Sequence, residues 1–196
     1  MLHSNCRSVG IESASLVLFV PHRPTAFNFH SDRKTQALDQ KAMSHFLLHC
    51  DNHWKKIINC FAKISYDLYG QSFESWQSYR DTRLLTKNSQ EQILFPDIDG
   101  HFPERRRQNT SIASEFFYSD HDEPIGTSNK KVELISGLVT ARKLSIDLDS
   151  WDRTAEFFFR SDDSGNPYHI VTPYFDYRQL SNQKINRLLN LLTHLK

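Results

Sequence analysis

Short continuous apolar runs along the chain are separated by stretches in which apolar residues recur every three or four positions. A continuous run of four or five predicts a strand buried on both faces; the three- and four-residue recurrence predicts helices with one apolar side. The first run is LVLFV at 16–20, stopped by Pro21. QILF at 92–95, stopped by Pro96, and VELI at 132–135 read the same way. Three helical patterns lie between the first two runs. One covers 38–49, with Leu38, Ala42, Phe46 and His49 on a stripe. The clearest starts at a cap, Asp51 or Asn52, and ends at Gly70. It turns Trp54, Ile57, Ile58, Phe61, Ile64, Ser65 and Leu68 inward and Lys55, Lys56, Asn59 and Lys63 outward. A third is expected over 73–85 behind Ser72, with Trp76, Tyr79, Arg80 and Arg83 along one side.

After the third run, Ser136-Gly137 turns the chain into a short helix over 138–144. Trp151 and residues 155–160, the turn at 162–167 and the run YHIVT at 168–172 predict a β-hairpin. A polar loop over 173–180 leads to Ser181, the N-cap of a last helix over 182–195, with Ile185, Leu188, Leu189, Leu192 and Leu195 as its stripe. Residues 21–35 have turn chemistry. Two stretches lack periodicity: 1–14, read as a loose lead-in, and 96–130, read as a long polar insertion with one short element at 113–118. The alternation predicts a single α/β domain over 1–196, of three layers α/β/α. Its sheet is mostly parallel with four or five strands, followed by a C-terminal β-hairpin plus helix. The opening strand and the one feeding the last helix are expected side by side and pointing the same way. Such sheets hold ligands in the loops beyond the carboxyl ends of their strands, here 21–29, 96–100, 136–137 and 173–182.

Composition narrows the function classes. A chain of 196 residues, 38% hydrophobic and 24% charged, can build a core without disulfides or metals. Its 24 Lys and Arg against 23 Asp and Glu, net +1, argue against a dedicated DNA-coating protein. Fourteen Phe, seven Tyr and three Trp argue against wholesale disorder. The cysteines, Cys6, Cys50 and Cys60, lack the spacing of a disulfide framework or a zinc site. Cys50 and Cys60 lie at or within helical pattern and are expected to act as small apolar residues. No apolar run approaches the ~20 residues of a membrane span, and no leader pattern is seen, so no membrane association and a cytoplasmic location are expected.

The order of elements in the second half carries a resemblance. VELISGLVTARKL, then EFFFRSDDSGNPYHIVTP, then YFDYRQLSNQKINRLLNLL resemble the uracil-DNA-glycosylase superfamily. There a third strand enters a Gly-x-[ST]-Ala helix and the last strand enters a His-Pro-Ser loop. Gly137 to Ala141 echo the first signature, and 16–24 sit where that superfamily keeps its first catalytic motif. The resemblance implies a shared fold. That motif wants an Asp or Asn to orient water, whereas this chain has Pro21-His22-Arg23-Pro24, with Asn28 the first amide. The last motif wants a His, where this chain has Tyr174, His169 lying inside the strand before it. Ordinary glycosylase activity is therefore not expected. The segments HWKKI, SWQSYRD and PYFDYRQLSN are similar to those of a small bacterial family of unknown function, which implies no activity.

The strongest candidate site is Asp176, Tyr177, Arg178 and Gln179 with Ser181 and Asn182. One turn at a helix N-terminus gathers a carboxylate, a phenol, a guanidinium and two amides, suited to an anion such as phosphate held bidentately by Arg178. Tyr174, Phe175 and Tyr177 can stack on a base. The structural alternative is that Ser181 caps, Asp176 pairs with Arg178 and the aromatics pack inward. His22 and Arg23, after the first strand, can face the same crevice, His22 and Asp176 then forming a base and its orienter. His53, at a helix N-terminus, suits base or electrophile work, or simply a half-buried position at the cap. Trp76, Tyr79 and Arg80 form a secondary patch, suited to a nucleic-acid strand or to core packing with ion pairs. Asp97, Asp99 and His101, and Asp120 to Glu123, match no metal-ligand spacing, and 104–107 reads as a solvated loop. No metal or cofactor is expected. P-loop, GxGxxG, GxSxG and HExxH motifs are missing. The reading is a domain that binds a nucleotide, nucleobase or other anionic ligand: Arg178 takes the anion, Asp176 orients Arg178 or reads a base edge, and Tyr177 stacks. The alternatives are a glycosylase-like or nuclease-like enzyme using His22 or Asp176, and a protein-interaction domain using 96–130.

Overall fold

The apolar runs meet in one eight-stranded mixed sheet. The computed structural model describes residues 7–24, 35–96, 100–102 and 131–195. Its strands are β1 (Ser8–Gly10), β2 (Leu16–Phe19), β3 (Thr35–Gln36), β4 (Glu91–Leu94), β5 (Val132–Ser136), β6 (Asp152–Arg153), β7 (Phe158–Ser161) and β8 (Pro167–Thr172). Across the sheet they run β3-β1-β4-β2-β5-β8-β7-β6. The central four, β4, β2, β5 and β8, are mutually parallel, and every residue of β2, β4 and β5 is buried. Antiparallel strands flank them: β1 on β4, and β7 on β8 with β6 beyond.

The helices are α1 (Gln40–His49), α2 (Asn52–Tyr69), α3 (Trp76–Thr82), α4 (Gly137–Lys143) and α5 (Asn182–Leu191). α1, α2, α3 and α5 pack on the face of the sheet that carries Leu16, Leu18, Leu134 and Ile170. α4 packs on the other, against Val17, Phe19, Ile135 and Val171. The inward positions expected for α2, Trp54 through Leu68, are all buried, with Asp51 accepting from the Trp54 N–H at 2.8 Å and Gly70 closing the helix.

The architecture corrects several expectations. The sheet is larger and more mixed than four or five mostly parallel strands. Its extra strands are short and polar, and pairing with a neighbour, rather than local pattern, makes them strands. Residues 8–10, expected to be irregular, form β1, and Thr35 at the end of a supposed loop begins β3. β2 and β8 point the same way but are not adjacent, because β5 pairs with both. α3 is shorter than 73–85: Ser75, not Ser72, caps it, a turn from Gly70 holds Phe73 outside the helix, and Leu85 leaves at φ +59°. The first hairpin strand starts at Phe158, since 154–157 turn back on themselves. α5 stops at Leu191, followed by a 3-10 turn over Thr193–Leu195. Most of 96–130, including 113–118 and 104–107, and also Cys6, lie outside the described residues.

Cys50 and Cys60 do serve as apolar packing, 6% and 3% exposed. Burial pushes the Cys60 thiol up to about 11. Cys60 is therefore expected to stay unmodified by a thiol reagent at pH 8 until the protein unfolds. Rapid labelling of the native protein, located at Cys60 by mass spectrometry, would contradict this packing.

Candidate functional site

Two anchors fix the corner where the carboxyl ends of the central strands meet α2. Trp54 is buried, edge-on to Phe46 (5.9 Å) and to Phe95 (6.4 Å), which follows β4. This pins the first turn of α2 to the sheet edge and leaves the preceding residue, His53, beside the loops that follow β2 and β8. The second anchor is Ser136, whose Oγ accepts from the Phe175 N–H at 3.0 Å, tying the loop after β8 to β5. Gly137 lets that loop lie close: its φ is +79°, and a Cβ there would sit 3.4 Å from the Tyr174 ring.

Three rings converge in this corner. His22 and His53 have centroids 5.1 Å apart and meet at an angle. His53 and Tyr174 lie nearly parallel at 5.0 Å, and His22 reaches Tyr174 at 6.2 Å. The Tyr174 hydroxyl is hydrogen-bonded to His53 Nε2. Burial, reinforced by the charges of Asp176 and Asp51, raises the phenol's pKa, so it remains protonated. His22 is accessible, but partial desolvation, followed by repulsion from His53 and Lys143, lowers its pKa; Asp51 opposes this weakly. It is therefore neutral at pH 7, and its ring nitrogens have no hydrogen bond among the described residues. The Lys143 ammonium donates to the Pro21 carbonyl at 3.1 Å, fixing the loop that carries His22.

The polar turn at 174–182 continues from this corner along α2. The Asp176 carboxylate accepts from the Arg178 backbone N–H at 3.0 Å and from Lys56 Nζ at 2.8 Å. These two hold its pKa below the usual carboxylate value, the backbone bond contributing most. Tyr177 is 56% exposed, with Lys56 5.1 Å and Arg178 5.9 Å from its ring centre. The Gln179 carbonyl accepts from Lys184, Ser181 caps α5, and Asn182 accepts from Lys63 Nζ at 2.8 Å.

The structure thus brings His22 and Tyr174 together and adds His53, which sequence reasoning treated separately. It does not form the anticipated base and orienter: the ring neighbours of His22 are His53 and Tyr174, while Asp176 is held by Lys56 and the backbone. Asp176 likewise fixes the backbone of residue 178 rather than its guanidinium. Arg23 lies over the Phe95 ring at 5.3 Å. In the secondary patch, Tyr79 is only 1% exposed and donates to the buried Glu91 at 2.5 Å, so it is a core residue. Trp76 and Arg80 do lie together, 5.4 Å from ring centre to guanidinium, with Arg80 also bonded to Asn59 and Asp81. His169 is committed to Glu133 at 3.2 Å within the sheet. Lys56 and Lys143 are site residues that the sequence did not flag. Nothing in their local pattern distinguishes them from other outward lysines, and only the fold reveals their partners. Among the described residues no group of three or more His, Cys, Asp or Glu is arranged to hold a metal, and no helix is long and apolar enough to cross a membrane. Asn28, Asp97, Asp99 and 120–123 lie outside the described residues, while His101 is exposed.

Comparison with known proteins gives a match over residues 7–193 to a family of unknown function (DUF6942), which bears out the resemblance of the chain's segments to a family of that kind. No curated protein and no solved structure matches the chain.

Proposed function

The chain belongs to a family of unknown function, DUF6942, so its activity has to be read from its own residues, and we propose that it binds a nucleotide or a similar ligand pairing an anionic group with a planar ring. The ligand would occupy the crevice at the carboxyl edge of the central strands. The convergence of His22, His53 and Tyr174 carries this reading. Three planar rings offer stacking surface, His53 Nδ1 and His22 offer hydrogen bonds, and the Arg178 guanidinium stands close by on Tyr177 for an anion.

Titration of adenosine and uridine monophosphate into the protein, followed by the histidine ring proton signals, tests it. His22 and His53 are expected to shift on binding. Tyr174→Phe removes the hydroxyl bonded to His53 and is expected to weaken binding about tenfold, the order of one hydrogen bond, with little change in melting temperature. Shifts confined to other residues, or unchanged affinity in both Tyr174→Phe and His22→Ala, would sink the proposal.

A second reading is a glycosylase-like or nuclease-like enzyme, favoured by one observation: His22 is accessible and neutral, with a ring nitrogen able to accept a proton, as a general base needs. Cleavage of uracil-containing or single-stranded nucleic acid, abolished in His22→Ala, would support it. Full activity in that variant would remove it.

A further inference from the structure

The outer face of α2 repeats one arrangement twice. Tyr177 has two cations against its ring, Lys56 at 5.1 Å and Arg178 at 5.9 Å. Trp76 likewise has two, Lys63 at 5.3 Å and Arg80 at 5.4 Å. Lys56 and Lys63 are seven residues apart on the same outward side of α2, so the two units are about 10 Å apart along the helix axis. His53 stands one turn before Lys56, so the row begins at the corner described above. Beside Trp76 a cleft of about 330 Å³ opens between α2, α3 and α5, lined by Tyr66, Asn182, Asn186 and Leu189 among others. Four cations, Lys56, Arg178, Lys63 and Arg80, stand along the two rings against Asp176, paired with Lys56, Asp81, paired with Arg80, and Asp67 in the cleft, a local excess of positive charge.

We propose that a single strand of nucleic acid lies along this face, from the His22–His53–Tyr174 corner to Trp76. The proposal rests on the nucleotide reading of the corner and extends it from one nucleotide to a strand. Aromatic rings spaced between cations are what a single strand requires, since bases stack on any flat ring and phosphates need only positive charge near them. An acidic peptide would use the lysines and arginines but has no groups for Tyr177 and Trp76 to stack on. The long lysines can swing off the rings as bases arrive and pair with phosphates instead. At the 3.4 Å rise of a stacked strand, 10 Å corresponds to about three nucleotides. The cleft beside Trp76 provides room for a terminal base.

The test is fluorescence anisotropy with labelled dT10, competed by thymidine monophosphate, by duplex DNA and by polyglutamate. The strand is expected to bind at least tenfold more tightly than the mononucleotide. Three or four phosphate contacts should give a log–log salt slope of about −2 to −3. Lys63→Glu, a half-buried position outside the corner, is expected to weaken dT10 at least fivefold while leaving thymidine monophosphate unaffected. Trp76→Phe, which keeps a ring in the same packing, is expected to change dT10 binding by less than Lys63→Glu. If dT10 binds no more tightly than the mononucleotide, or Lys63→Glu changes nothing while Tyr174→Phe weakens both ligands, the strand proposal falls and the corner stands. If neither ligand binds, both readings fall. Equal competition by polyglutamate or by duplex also overturns the strand proposal.

Discussion

Replacing Gly10 with alanine is expected to destabilise the protein by at least about 3 kcal/mol. Gly10 ends β1 at φ +108°, and a Cβ there would lie 2.2 Å from the Glu91 carbonyl oxygen and 2.9 Å from the Gln92 Cα. Neither contact can relax cheaply, because both atoms are backbone of β4, which is buried throughout and held by β2 on its other side. Backbone strain and overlap each cost about 1–3 kcal/mol. The alternative is for β1 to peel away, losing its pairing with β4 and with β3. For a chain of this size the melting temperature should fall by roughly 6–12 °C. A G10A variant melting within a degree or two of the parent would show that β1 is not seated as described.

The second large effect concerns Glu91, which is fully buried at the start of β4. One oxygen accepts from Tyr79 at 2.5 Å and the other from the Gln90 N–H at 3.1 Å. Tyr79→Phe deletes the phenol donor, and leaving one oxygen of a buried carboxyl without its partner costs about 1–3 kcal/mol, more in the ionised form. Burial raises the Glu91 pKa above 4.5, the bonds from Tyr79 and Gln90 offsetting only part of this. With the folded value the higher, the folded state holds the proton more tightly. The carboxyl therefore favours folding most below its unfolded pKa, and that contribution is lost as pH rises through the folded value. Tyr79→Phe should accordingly be milder at pH 4 than at pH 7. Glu91→Gln should remove this pH dependence, since an amide can accept from the Gln90 N–H and donate to the Tyr79 oxygen. Urea unfolding of the three proteins at both pH values checks this. Equal losses at pH 4 and pH 7 for Tyr79→Phe would mean that Glu91 is not the group responsible.

The central strands and the helices were readable because each carries its own signal. LVLFV is apolar on both faces, and α2 has a cap, a stripe of seven inward residues and a terminating glycine. β1, β3 and β6 carry no such signal. Ser8-Val9-Gly10 holds one apolar side chain, and Asp152–Arg153 holds none, so their conformation comes from neighbours far along the chain. The rule that ligands gather at the carboxyl edge of parallel strands located the corner, and Tyr174 and His22 do meet there. Which side chains face each other depends on strand order, which no local pattern encodes. The insertion of β5 between β2 and β8, and the approach of α2, decide that His22 neighbours His53 and that Asp176 takes Lys56.

The position of β2 has a consequence for how the chain is made. Its two partners, β4 and β5, come from much later in the sequence: Leu16 pairs with Glu91 on one side and with Val132 on the other. At ribosomal speeds of about 5–20 residues per second, the 116 residues from Val17 to Val132 take roughly 6–23 s to synthesise. Through that interval β2, apolar at all four positions, has at least one unsatisfied edge, so a nascent chain halted before Val132 is expected to aggregate more readily than the completed one.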